Sequence, residues 1–393
     1  MKPFLNRMAA ATAALLAGLL VAGCGGGGAT ADTTPQVKFT SVKVFGDSLQ
    51  DSGTIGYKFT IQSADSLLYV ERIAANYGLT LCNFFKYTGV ATAPFAPNTA
   101  QTGCSNYAIA GSLINYMGAG ANSGLVPLTI GTQMATYAAT GSYTSSDLVI
   151  IDGGGNDAAD LIGAYLRART DNAAAYSAML GTLLTPTQIS AALGGGATTT
   201  AQIGGAYMTA LADKFYNAIK ASVLDKGATH VVVMNIPDIT FTPRFQKVLD
   251  NIALASGGGT AGATARAQSQ ALFQGWITAY NTQLASKLAG NDGVAVIDFY
   301  KGFQDQVATP AQFGLSNVSV AACPVTGTGA DGLPTYTFPT CTATALSAAP
   351  PVGVSGADWW KSYGFADGFH PSPYGHQLTQ QLIAKSLATK GWL

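Results

Sequence analysis

Residues 42–45, Val-Lys-Val-Phe, are a short run of β-branched and aromatic side chains, the pattern of a buried strand. The run stops at Gly46-Asp47-Ser48, which leaves a serine hydroxyl where a strand should end. In open α/β sheets the carboxyl ends of the strands are where ligands and chemistry sit. A serine alone is a weak nucleophile and needs a base, a group to orient that base, and donors for the oxyanion. The far end of the chain supplies a candidate pair: Asp367-Gly368-Phe369-His370-Pro371 sets an acid three residues before a histidine, in a turn-rich segment ahead of a helical pattern. One short turn can present a base together with the carboxylate that fixes its tautomer. Only three histidines are present. His230 opens a strand-like run and His376 begins the C-terminal helix, so both read as structural, and His370 is the expected base.

The elements that must position these residues follow from periodicity. Strand-like runs recur at Asp147–Asp152, His230–Ile236 and Val294–Phe299. Between them lie helical patterns at Ser66–Tyr77, from Tyr207 onward with Leu211, Phe215 and Ile219 on one face, and at Leu272, Trp276, Tyr280, Leu284 and Leu288. Such alternation predicts parallel strands covered on both faces. Residues 160–204 read as an excursion over the sheet that could serve as a lid, with a helix start at Thr185-Pro186-Thr187-Gln188. Gly257–Gly262 reads as a flexible loop. Gly153-x-Gly155-x-x-Ala158 matches a dinucleotide fingerprint, but the acid-tipped strand that should follow does not arrive. Asn156 is instead expected to be an amide donor at the sheet mouth, with Asp157 capping the next helix. Asp47 and Asp51 are expected to make turn hydrogen bonds.

Four blocks in this order resemble the GDSL (SGNH) hydrolases: FGDSLQDSG at 45–53, Asn106-Tyr107-Ala108-Ile109-Ala110-Gly111, Gly154-Gly155-Asn156-Asp157, and DGFHPSPYGH at 367–376. The segments NIPDITFTP and FGLSNVSVAAC are similar to the lipase/phospholipase-like branch. One departure is Thr54, where many members carry asparagine. The resemblance implies a three-layer α/β/α, flavodoxin-like fold with a central five-stranded parallel sheet. It implies a serine esterase or lipase acting on acyl esters through an acyl-enzyme, with Ser48, Asp367 and His370 catalytic. The oxyanion hole would be the backbone N–H groups of Ser48 and Gly111 with the Asn156 side chain. Competing readings are a carbohydrate O-acetylesterase or acyltransferase on the same fold, or a non-catalytic ligand-binding lipoprotein.

Composition bounds the setting. The 393 residues hold 20 basic and 20 acidic groups and only 10% charged residues, which gives no electrostatic case for nucleic acid. No cofactor or metal is expected, since no CxxC or HExxH occurs, and a monomer is expected. Residues 1–23 read as a signal peptide with Lys2 and Arg7 ahead of an apolar stretch. It ends in Val21-Ala22-Gly23-Cys24, which resembles a bacterial lipobox and implies lipid attachment at Cys24. Residues 24–38 then form a flexible tether and 39–393 a single hydrolase domain, exported and held at the outer membrane of a Gram-negative bacterium or at the cell surface. The four remaining cysteines allow three connectivities; Cys82–Cys104 with Cys323–Cys341 closes the shortest loops and is the one expected. Cys24→Ser is expected to release the protein from the membrane fraction. A mature chain that starts elsewhere, with no added acyl mass, would contradict the anchor.

Overall fold

The computed structural model describes residues 37–90, 93–117 and 129–393. The targeting segment, Cys24 and most of the tether lie outside the described residues. In chain order the main elements are strand β1 (Ser41–Phe45), helix α1 (Tyr69–Asn76), helix α2 (Ile130–Thr140) and strand β2 (Asp147–Ile151). Helices α3 (Gly155–Arg167) and α4 (Ala197–Ser222) lead to strand β3 (Val231–Met234). Helix α5 (Gly259–Leu288), strand β4 (Val294–Ile297) and helix α6 (Pro373–Thr389) complete the frame.

The four strands form one parallel sheet in the order β1-β2-β3-β4. Its register aligns Phe45 with Ile151, Ile151 with Val233, and Val233 with Val296. The expected fifth strand is an extended edge segment that pairs too briefly to be a regular strand. Val44 bridges Asn106 in parallel, and backbone N–H groups of Val44, Tyr107 and Ile109 donate to Ser105, Val44 and Gly46. The Asn106 side chain meanwhile donates to the Gln50 carbonyl and to Ser52 Oγ, in the loop after β1. Counted with this edge, the order is 2-1-3-4-5, the flavodoxin-like arrangement.

Strand side chains alternate between two cores, as a period of two requires. Phe45, Val149, Ile151, Val231 and Val233 pack with α2, α3, α4 and α5. Val42, Val44, Leu148, Ile150, Val232 and Met234 pack with α1 and α6. Three layers result, with both sheet faces dry.

Several boundaries differ from expectation for identifiable reasons. Helix α1 starts at Tyr69 because Glu71 folds back to accept the Leu68 N–H, at 2.8 Å. The 160–204 region is packed helix: Tyr176, Met179, Leu180 and Leu184 are buried in the larger core. Within it a helix starts as expected at Thr185-Pro186, where Thr185 and Gln188 form a capping box with Pro186 in the first turn. The glycine-rich stretch at 257–262 is a turn only to Gly258, since α5 already begins at Gly259. His230 lies just ahead of β3, edge-on to the rings of Phe39 and Trp392. His376 is fully buried inside α6, stacked 6.2 Å from Tyr69, and burial pushes its imidazole down to about 3. The helix cap there is Ser372, which accepts from Tyr374 and Gly375.

Candidate active site

The parallel register brings the ends of β1 and β2 side by side, so the segments after Phe45 and Ile151 emerge together. Gly46 has no room for a side chain: a Cβ there would lie 1.2 Å from the Gln50 Oε1. Gln133, buried within α2, clamps the Gly46 peptide from both directions. It accepts from the Gly46 N–H at 2.8 Å and donates to the Gly46 carbonyl at 2.9 Å. The same amide donates to Ser112 Oγ at 2.9 Å. Nothing in the expected elements flagged Gln133; the available signal was an amide on an otherwise apolar helix face beside Ile130 and Met134.

Ser48 follows this clamped peptide, with 5% of its surface exposed. Its hydroxyl lies 2.8 Å from His370 Nε2. The other ring nitrogen, Nδ1, is 2.9 Å from Asp367 Oδ2 and 3.1 Å from Oδ1. Asp367 also accepts the backbone N–H of Phe369 and of His370, at 2.8 and 2.6 Å. Burial alone would raise the Asp367 carboxyl, but the imidazole beside it and these hydrogen bonds hold it below the usual carboxylate range. Ser48, His370 and Asp367 are thus brought together as the sequence predicted, in an order that lets a proton pass from Oγ to Nε2 while a carboxylate fixes Nδ1–H.

Of the expected oxyanion residues, Asn156 reaches Asp47 next to Ser48, and Gly111 follows Ala110, whose N–H is held by Asp51. Gly111 adopts φ +78°, a left-handed backbone conformation that favours glycine, although a Cβ there would meet open space. Asn156 lies in the first turn of α3, and its Nδ2 donates to the Ser112 carbonyl at 3.0 Å. Its second contact, to Asp47 Oδ2, is long at 3.4 Å. One amide hydrogen therefore fixes the side chain and the other is weakly engaged.

Asp157 differs from expectation. The helix cap is Gly154, and Asp157 is fully buried, accepting from the Ile114 N–H at 2.9 Å and the Asn115 N–H at 2.8 Å. It anchors the loop that follows Gly111. Burial pushes its carboxyl up to about 6, against the pull of those two donors. Asp51 acts in parallel: besides the turn bonds from Gly53 and Thr54, it accepts from the Ala110 N–H at 2.9 Å. Asn106 donates to the Gln50 carbonyl and to Ser52 Oγ. Thr54 Oγ1 reaches the Ala108 carbonyl at 3.4 Å, so the departure at this position still joins the two loops.

Behind the serine sit two more buried carboxylates, Asp47 and Asp152. Asp47 accepts the Leu49 N–H at 3.0 Å. Asp152 donates its N–H to the Phe45 carbonyl at 3.1 Å, and Tyr69 approaches its Oδ2 at 3.5 Å. Burial raises both carboxyls, and the Asp47 charge beside it pushes Asp152 well up. Both expected disulfides are present, Cys82–Cys104 and Cys323–Cys341.

The GDSL-like Lipase/Acylhydrolase family matches residues 42–383, and the chain belongs to that family. No curated protein matches the sequence. Among solved structures, a phospholipase A1 from Streptomyces albidoflavus NA297 is similar at 13% identity and a TM-score of 0.40, over 88% of this chain and 98% of that one.

Asn156→Ala is expected to lower turnover about a hundredfold or more, with a stability loss below about 1 kcal/mol. Asp157→Ala is expected to lose both, because two buried N–H groups lose their acceptor at roughly 1–3 kcal/mol each and the Gly111 loop is released. Turnover on a soluble ester and unfolding in urea would be measured together. An Asp157→Ala variant with full turnover would show that the anchor is not needed.

Proposed function

We propose that the protein is a serine ester hydrolase acting on carboxylic acyl esters through an acyl-enzyme on Ser48. The observation that carries this is the unbroken contact series Ser48 Oγ, His370 Nε2, His370 Nδ1, Asp367, with steps of 2.8 and 2.9 Å. In the proposed reaction Ser48 Oγ bonds to the acyl carbon as His370 Nε2 takes its proton. The carbonyl oxygen becomes an oxyanion, which the Ser48 and Gly111 N–H groups and the Asn156 amide would stabilise. As the ester C–O bond breaks, the leaving alcohol oxygen takes the proton from Nε2. Water then repeats the sequence and frees the acid. Asp367 stays ionised and holds the imidazole in the tautomer that leaves Nε2 free to accept. Family membership supports ester hydrolysis at this level. The lipid anchor at Cys24, if used, would place the enzyme at a bacterial membrane surface.

His370→Ala is expected to abolish turnover. Asp367→Asn should lower kcat by roughly a thousandfold or more with little change in KM, since it stabilises the wrong tautomer. The assay would use p-nitrophenyl esters from acetate to palmitate, beside phospholipid and acetylated xylan, which separates a lipase from a carbohydrate deacetylase. Near-wild-type turnover by His370→Ala would assign the base elsewhere, and no turnover of any ester by the wild type would favour a ligand-binding role.

A further inference from the structure

Three aromatic rings surround the imidazole of His370. Phe59 lies 5.1 Å from it between centroids, Phe338 5.6 Å and Phe369 5.7 Å. Phe59 and Phe338 touch each other at 5.2 Å, and Tyr57 extends the cluster, 5.4 Å from Phe59 and stacked 6.3 Å from Phe338. Phe338 is buried, whereas Tyr57, Phe59 and Phe369 keep part of their surface in solvent.

This wall is built to stay in place. Thr60 Oγ1 donates to the Pro371 carbonyl at 2.9 Å, next to the base. The Gln62 N–H donates to the Cys341 carbonyl at 2.8 Å and the Ala343 N–H to the Gln62 carbonyl at 3.0 Å. Phe338 lies inside the loop closed by Cys323–Cys341. Gly111 and Asn156 come from other loops, so the base side and the donor side of Ser48 are separate constructions.

Reaction chemistry assigns the two sides. The base must pass its proton to the leaving oxygen, so that oxygen comes within hydrogen-bond reach of Nε2 and its substituent passes the rings beside His370. The acyl chain leaves the carbonyl carbon in another direction. Lys58, beside Phe59, is paired with Glu71 at 2.7 Å, and Arg244, in the helix Pro243–Ala255, with Asp331 at 2.5 Å.

We propose that Tyr57, Phe59 and Phe338 form the binding site for the alcohol part of the ester, and that this part is an apolar alkyl or aryl group. The proposal rests on the Ser48–His370 assignment above and adds which half of the substrate the rings read.

The test holds the acyl group fixed as butyrate and varies the alcohol through ethyl, decyl and benzyl, with acetylated xylooligosaccharide as a polar arm. Phe59→Ala should lower kcat/KM on the benzyl and decyl esters about tenfold relative to the ethyl ester, and Phe59→Leu should recover most of the decyl preference. A second readout is the fate of the p-nitrophenyl butyrate acyl-enzyme with benzyl alcohol present. The ratio of benzyl ester to free acid should fall in Phe59→Ala, because the acceptor occupies the same site. A ring that only positions His370 would slow every alcohol alike and leave that ratio unchanged. Equal losses across alcohols, or wild-type preference for the xylooligosaccharide, would overturn the proposal. Wild-type hydrolysis of ethyl butyrate that survives Ser48→Ala would overturn the triad assignment instead.

Discussion

Ser48 and His370 are 322 positions apart and meet at 2.8 Å. A hydrogen bond across that separation has no local cause; it depends on the sheet that fixes one partner and the helix that fixes the other. Ser48 is set by the end of β1, whose register with β2 is fixed by two dry faces, because a one-residue slip would exchange the two cores. His370 is set by the 367–373 turn, whose Ser372 caps α6 and whose Pro371 carbonyl is held by Thr60. Helix α6 in turn buries Ile383 and Leu387 against the sheet face opposite the larger core. The contact is therefore held from both sides of the sheet.

Around it, the loops are fastened by polar side chains rather than by apolar packing. Asp51 joins the nucleophile loop to Ala110, Asp157 joins α3 to Ile114 and Asn115, and Gln133 joins α2 to Gly46 and Ser112. Buried carboxylates and amides are costly unless paired, so each of these is tied to backbone groups that would otherwise be buried and unpaired as well. The arrangement holds the Ser48 loop and its neighbours in one geometry, as the preorganisation of the proposed reaction requires. Asp152 is the exception: it is buried beside Asp47, and burial with that neighbouring charge pushes its carboxyl well up.

Much of this was legible in the chain. The strand runs and helical faces announced the layers because each strand is dry on both sides and each long helix buries one stripe. The Asp367–His370 spacing announced the base and its orienter because three residues span one turn. The capping box at Thr185 could be read from its residue types. What could not be read were partners distant in sequence. Asp157 has the residue type of a helix cap and sits in the first turn, yet its carboxylate points to a loop more than forty residues earlier. Gln133 looks like a chance amide until α2 is placed against β1. The edge segment 105–109 lacks a strand's length, and only its pairing with Val44 reveals it.

The central claim is that Ser48 carries the acyl group. The direct measurement is intact mass after acid quench of the enzyme mixed with p-nitrophenyl butyrate, followed by peptide mapping. The account predicts one butyryl adduct per chain, on the peptide containing Ser48, absent from Ser48→Ala, whose turnover is lost. Persistent turnover in Ser48→Ala, or an adduct on any other residue, would contradict it.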